Sequence, residues 1–201
     1  MPSNNLLMIF VKNPEPGKVK TRLAKSVGDD AAFKIYLKML NHTMEQAKSV
    51  NCTKEVWYSL FVDVDDLFDK KLFQKKVQSG SNLGDKMKHS FKSAFACGFE
   101  KVVIIGSDCP GISTELIESA FEKLERSDLV IGPAFDGGYY LLGMKEFIPG
   151  IFDTIPWSTS KVFDRTVEIA NAKSLSTATL TVLRDIDTED DLKMSEHSWL
   201  R

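Results

Sequence analysis

Apolar and polar positions along this chain follow two rhythms, and the switches between them divide it into strands and helices. Leu6 to Val11 is an unbroken apolar run ended by Asn13-Pro14, the pattern of a strand covered on both faces, as in a parallel sheet. After Gly28-Asp29-Asp30 the period changes: Phe33, Leu37, Leu40, Met44 and Ala47 recur three or four positions apart, which places them on one face of a helix. Val56 to Val62 predicts a second strand, and Leu67, Phe68, Leu72 and Phe73 a short helix capped by Asp63, Asp65 or Asp66. Leu83, Met87, Phe91, Ala94 and Phe95 predict a helix that Gly98 ends. Val102 to Gly106 predicts a strand, and Ser113 or Thr114 opens a helix with Leu116, Ile117, Ala120, Phe121 and Leu124 inward. Two more strands, 129–131 and 139–142, flank a glycine-rich loop; Ser160 opens another helix, and 179–183 reads as a last strand.

Strands alternating with amphipathic helices predict an α/β fold with a largely parallel sheet and right-handed crossovers. No repeat or low-complexity segment interrupts the pattern, so residues 1–201 are read as a single domain. In such a sheet, ligands sit beyond the carboxyl ends of the strands. The Lys12–Arg22 loop, Asp108 and the Asp136 loop each follow a strand directly. All three are therefore predicted to meet at one edge.

Composition narrows what they could meet around. With 43% hydrophobic and 27% charged residues and a net charge of -2, the chain has the balance of an ordinary globular protein and not of a nucleic-acid binder. Any anion site must be local. No apolar run approaches the ~20 residues of a membrane span, and Met1-Pro2-Ser3-Asn4-Asn5 lacks the layout of a signal peptide, so a cytoplasmic location is expected. Cys52, Cys97 and Cys109, and His42, His89 and His197, are too scattered for a disulfide framework or a zinc motif.

The basic loop holds Lys12, Lys18, Lys20 and Arg22 around Gly17. It is neither a P-loop nor a dinucleotide fingerprint. It reads as a phosphate cradle or as a solvated basic turn, with Arg22 the leading candidate because a guanidinium grips two phosphate oxygens at once. Asp108, in Gly106-Ser107-Asp108-Cys109-Pro110, is placed either to hold magnesium or to cap a helix. Cys109 beside it reads as a packed thiol. Asp136-Gly137-Gly138-Tyr139-Tyr140 combines an acid, a flexible backbone and two aromatic rings, which suits a ligand wall as well as a hairpin turn. Gln78, Asn82 and Gly84 offer amide contacts to a nucleobase or turn the chain, and Trp157 lines a pocket or fills core. Asp185, Asp187, Asp190 and Asp191 are candidate helix caps, the last two above all.

The ordered set FVKNPEPGKVKTRLA, NLGDKM, IIGSDCPGI, IGPAFDGGYYLLG, WST and DIDTEDDL resembles a bacterial family of small GT-A-fold proteins described as glycosyltransferases of the arsenosugar-biosynthesis type. It is similar, more distantly, to molybdenum-cofactor guanylyltransferase and 2-phospho-lactate guanylyltransferase. The resemblance runs from Leu6 to Leu192. It implies a three-layer α/β/α nucleotide-diphospho-sugar transferase fold, with Gly17, Lys20, Thr21 and Arg22 on phosphate. It further implies Asp108 and Asp187 on Mg2+ or Mn2+, and Asp136 to Tyr139 facing the sugar or acceptor. Two departures stand out: Lys86 occupies a position where much of the family has arginine, and Ser107-Asp108-Cys109 carries one acid where many metal-dependent glycosyltransferases have Asp-x-Asp. No residue points specifically to arsenic chemistry.

The expected activity is metal-dependent transfer from a nucleotide-diphosphate sugar to a small-molecule acceptor, with Asp136 as base and Arg22 stabilising the leaving diphosphate. Nucleotidyl transfer with release of pyrophosphate uses the same machinery and stands as the alternative, with a non-catalytic nucleotide-binding module as a second one. The residues leave the base, the sugar, the acceptor and the oligomeric state open.

Overall fold

A computed structural model describes residues 4–200. The first apolar run forms β1 (Asn5–Val11), and its side chains divide by parity: Leu7, Ile9 and Val11 enter one core cluster, Leu6 and Met8 another. A strand with both faces covered has no polar face to show, which is why the run is continuous. β1 pairs in parallel with β2 (Thr53–Tyr58) and with β4 (Lys101–Ile105), and β2 in parallel with β3 (Gln74–Val77). β6 (Tyr139–Met144) lies antiparallel between β4 and β5 (Leu129–Pro133), and β7 (Thr177–Thr179) pairs in parallel with β5. The result is a seven-stranded sheet in the order β3-β2-β1-β4-β6-β5-β7.

On one face, α1 (Thr21–Val27), α2 (Asp29–Ser49) and α4 (Thr114–Lys123) supply Leu23, Ile35, Tyr36, Met39 and Ile117 to the core. On the other, α3 (Leu83–Ala96) and α5 (Val162–Ala172) supply Met87, Phe91, Ala94 and Ala170. These are the three layers of the α/β/α arrangement. Phe33 and Leu37 lie at the margin of the α2 face, whose centre is Ala32, Ile35, Tyr36 and Met39. No helix among the described residues is long and apolar enough to cross a membrane.

Several boundaries differ from the sequence pattern, each for a local reason. The second strand ends at Tyr58, the last residue opposite β1, and not at Val62. Beyond it the backbone of Leu60 and Phe61 bonds instead to the side chain of buried Asn13, whose Oδ1 accepts from Leu60 N at 2.9 Å and whose Nδ2 donates to the Phe61 carbonyl at 2.9 Å. The helix expected over 67–73 is a series of turns. Asp66 and Asp69 accept from the amides of Phe68 and Lys71, two residues on, and such side-chain turns compete with a helix. Phe68 and Phe73 are still buried, packed edge-to-face. β3 carries Lys75 and Lys76 at the sheet edge, where they pair with Asp66 and Glu55 at 2.6 Å each and no apolar pattern is present. The last strand is Thr177–Thr179; the 180–183 stretch expected as its continuation adds only one bridge, Leu183 to Ala134. α1 starts at the end of the basic loop, with Thr21 and Arg22 as its first two residues. The sheet is largely parallel, as expected, with β6 running against both its neighbours.

That reversal matters for the site. Since β6 is antiparallel to β4, it starts at the edge where β1 and β4 end, and Gly106 N donates to the Tyr140 carbonyl at 3.1 Å.

Candidate active site

A cleft of about 790 Å3 opens at that edge. Lys12 and Arg22 line it from the basic loop, Asp108 from the end of β4, Asp136, Gly138 and Tyr139 from the turn before β6, Trp157 from the loop before α5, and Asp187 from the segment after β7. The 183–187 segment reaches the centre because Leu183 accepts from Phe135 N at 2.8 Å and donates to the Pro133 carbonyl at 3.1 Å on one side, while Ile186 N donates to the Asp108 carbonyl at 3.0 Å on the other. Arg22 and Asp108 thus share one cavity, joined through Asp187.

Its centre is an ion cluster. The Lys20 ammonium lies 2.7 Å from Asp108 Oδ1 and 3.0 Å from Asp187 Oδ1, and Arg22 Nη2 bonds the other oxygen of Asp187. The Lys20 side chain is only 4% exposed, and its backbone holds the left-handed conformation (φ 49°) that aims it inward. Burial alone would lower the Lys20 pKa, but the charges of Asp108 and Asp187 and hydrogen bonds to both outweigh it, and the pKa is raised. Burial likewise pushes Asp187 up, and Lys20 and Arg22 more than offset it, so that carboxyl titrates below the usual range. Asp185 behaves differently. Burial, with the charges of Asp108 and Asp136, pushes its pKa up to about 6 although the Cys109 thiol donates to it. Cys109 itself is buried and its pKa is pushed well up by burial and by Asp185, which fits a packed thiol and not a nucleophile.

The aromatic wall is built on two glycines. A Cβ on Gly84 would lie 2.3 Å from Trp157 Nε1, so this glycine seats the indole and is buried beneath it, not open to a nucleobase. Tyr139 meets the same indole edge-on at 6.4 Å. A Cβ on Gly137, where φ is +88°, would lie 2.1 Å from the Ser160 carbonyl oxygen, and Phe163 N donates to Gly137 O at 2.9 Å. Only glycine lets the Asp136 turn sit against the start of α5. Asp136 Oδ1 accepts from Gly138 N at 2.8 Å, which fixes its carboxylate at the cleft wall.

Other expected contacts are placed differently. Gln78 and Asn82 line the cleft, but the Gln78 amide nitrogen already donates to the Trp57 carbonyl at 2.8 Å and the Val11 carbonyl at 3.3 Å. Asn82 caps α3, accepting from Asp85 N at 3.0 Å. Asn82→Ala is expected to cost about 1 kcal/mol of stability, measured by denaturant unfolding. Gly17, Lys18 and Thr21 lie on the exposed outer part of the loop, Lys18 paired with Glu15, and do not line the cleft. Leu83, expected inward, faces the cleft and is largely exposed. Thr188 is the N-cap of α6 (Glu189–Met194) and Asp191 completes its capping box, while Asp190, expected to share that role, lies in the first turn.

Two residues that position the site carry weak sequence signals. Asn13 ties the basic loop to the end of β2, and the Asn-Pro that ended the first strand was its only mark. Tyr36, from α2, donates to the Lys12 carbonyl at 2.6 Å and so fixes where that lysine leaves the sheet.

Asp108 and Asp187 are the donors a hard cation takes, but the point between their facing oxygens holds the Lys20 ammonium. Among the described residues no group of three or more His, Cys, Asp or Glu is arranged to hold a metal ion. In this arrangement the pair does not fit magnesium or manganese.

Residues 42–159 match the family described as uncharacterized proteins conserved in bacteria, DUF2064. The chain belongs to this family. No curated protein matches the DUF2064 chain in sequence. Among solved structures it is similar to a protein from Desulfovibrio desulfuricans G20 described as a candidate nucleotide-diphospho-sugar transferase, with 36% identity over 99% of this chain and 91% of that one and a TM-score of 0.88. It shares its fold with 4-diphosphocytidyl-2C-methyl-D-erythritol synthase from Anaerococcus prevotii DSM 20548, at 12% identity over 100% of both chains and a TM-score of 0.61. It also shares it with CMP:2-keto-3-deoxy-manno-octonic acid synthetase complexed with CTP, at 10% identity over 95% of this chain and 96% of that one and a TM-score of 0.56. The DUF2064 chain therefore has the nucleotide-diphospho-sugar transferase-like fold that its motifs resembled.

Proposed function

We propose that this protein transfers a sugar from a nucleotide-diphosphate donor to a hydroxyl of a small acceptor. The observation that carries this is the joining of three kinds of group in one cleft: the cations Lys12 and Arg22, the carboxylate of Asp136, and the Tyr139–Trp157 wall. The acceptor oxygen attacks the anomeric carbon as the bond to the diphosphate breaks, and Asp136 takes the acceptor proton. Lys12 and Arg22 stabilise the charge that gathers on the departing diphosphate. The aromatic wall presents an apolar face to the sugar ring. The description of the Desulfovibrio relative supports this reading.

Nucleotidyl transfer is the second reading. It is favoured by the single acid of Ser107-Asp108-Cys109 and by the cytidylyl chemistry named for the two distant fold neighbours. Here a substrate phosphate would attack the α-phosphorus of a nucleoside triphosphate and expel pyrophosphate.

Thermal-shift screening against nucleotide sugars and nucleoside di- and triphosphates, with and without magnesium, tests both. A ligand held only by the native form adds about 2.7 kcal/mol of stability at one hundred times its Kd. Stabilisation by a nucleotide sugar, followed by release of nucleoside diphosphate, is the expected result. Release of pyrophosphate from a triphosphate would move the assignment to the second reading, and a screen without any stabilising nucleotide would remove both.

A further inference from the structure

The ion cluster at the base of the cleft is organised around a side chain of the protein and not around a ligand. Lys20 is nearly excluded from solvent, whereas Asp108 and Asp187, which it bonds, are 40% and 29% exposed. The carboxylates therefore face the cleft and the ammonium lies behind them. Arg22 shares Asp187 from the open side, and Asp185 is the remaining acid beside the pair. The left-handed backbone at Lys20 costs a residue with a Cβ about 1–2 kcal/mol, so the inward path is maintained against local preference.

An ammonium bonds carboxylate oxygens at about 2.8 Å and a magnesium ion at about 2.1 Å. Between the facing oxygens of Asp108 and Asp187 there is room for one such centre. A second cation on the same oxygens would lie within a few ångströms of the first, in a half-dry site where like charges repel strongly.

We propose that Lys20 is an internal counter-cation: its ammonium fills the position between Asp108 and Asp187, so that the pair does not take a divalent metal ion while Lys20 is there. Lys20 is then a positioning residue, which keeps together two acids that would otherwise repel.

Manganese binding followed by electron paramagnetic resonance, with the full chain and no nucleotide, tests the exclusion. The wild type should hold no manganese at concentrations where Lys20→Met and Lys20→Gln each hold one ion, a difference of about tenfold or more in affinity. Adding Asp108→Asn to Lys20→Met should abolish that ion, which places it on the pair. Lys20→Gln keeps a hydrogen-bond donor, so it serves if the methionine variant does not fold. The inference is overturned if the wild type binds manganese as tightly as the variants, or if neither variant binds it.

Discussion

Replacing Asp136 by asparagine lowers turnover by about 10²- to 10⁴-fold, the usual worth of a positioned general base, while the fold and the affinity for the donor are kept. The substitution is close to isosteric. The bond from Gly138 N goes to one side-chain oxygen of Asp136, and an asparagine carbonyl accepts it equally well, so the turn and the contact of Gly137 with the start of α5 persist. What disappears is the capacity to take a proton. The effect should therefore fall on kcat with KM for the nucleotide sugar little changed, which marks an interaction realised only in the transition state. Release of nucleoside diphosphate, assayed with the donor found in the thermal-shift screen, measures it. The same variant separates the two reactions, because a phosphate nucleophile is already ionised near neutrality and needs no base. Glycosyl transfer that survives Asp136→Asn within a few-fold would place the base elsewhere.

How much of this was legible in the sequence depended on what each residue answers to. β1 and β4 are fixed by burial on both faces, and burial leaves a continuous apolar run that any reading recovers. β3 is held by its pairing with β2 and by ion pairs of Lys75 with Asp66 and Lys76 with Glu55, and neither leaves an apolar rhythm in Gln74-Lys75-Lys76-Val77. The convergence of Lys12, Arg22, Asp108 and Asp136 followed from a rule of topology, that ligands meet the carboxyl ends of strands, and the cleft lies there. The rule says nothing about direction within the cluster. Lys20 and Arg22 are two residues apart in the same basic loop, yet one is buried against two acids and the other largely exposed. That difference depends on the left-handed turn at Lys20 and on the return of the chain at Ile186, contacts separated by more than 160 residues in sequence. Gly84 shows the same limit. Its sequence context suggests an amide contact to a nucleobase or a turn, but the group packed on it is Trp157.

Four acids, Asp108, Asp136, Asp185 and Asp187, line one cleft, and their gathering has a cost that one substitution should expose. Lys20 and Arg22 offset the charge of Asp108 and Asp187. Asp185 is offset less: burial and the charges of Asp108 and Asp136 raise its pKa to about 6 although Lys20 and the Cys109 thiol act the other way, against about 3.9 for the unfolded chain. Between those values the native state binds a proton that the unfolded state does not, so stability falls as pH rises. Above about pH 6 the full penalty applies, roughly 3 kcal/mol for a pKa difference of this size. Asp185→Asn removes the charge and retains an oxygen that can accept from the Cys109 thiol. The variant should therefore unfold at higher urea than the wild type at pH 8, by up to about 3 kcal/mol, with the advantage fading through pH 6 to 4 as the wild-type carboxyl takes up its proton. An advantage that does not change with pH would mean altered packing and not charge. A variant less stable at pH 8 would mean that the Asp185 carboxylate is stabilised there by its neighbours. With the expected outcome, a buried acid that weakens the fold at neutral pH is a price the cleft carries for its chemistry, since a domain selected for stability alone would hold an amide at this position.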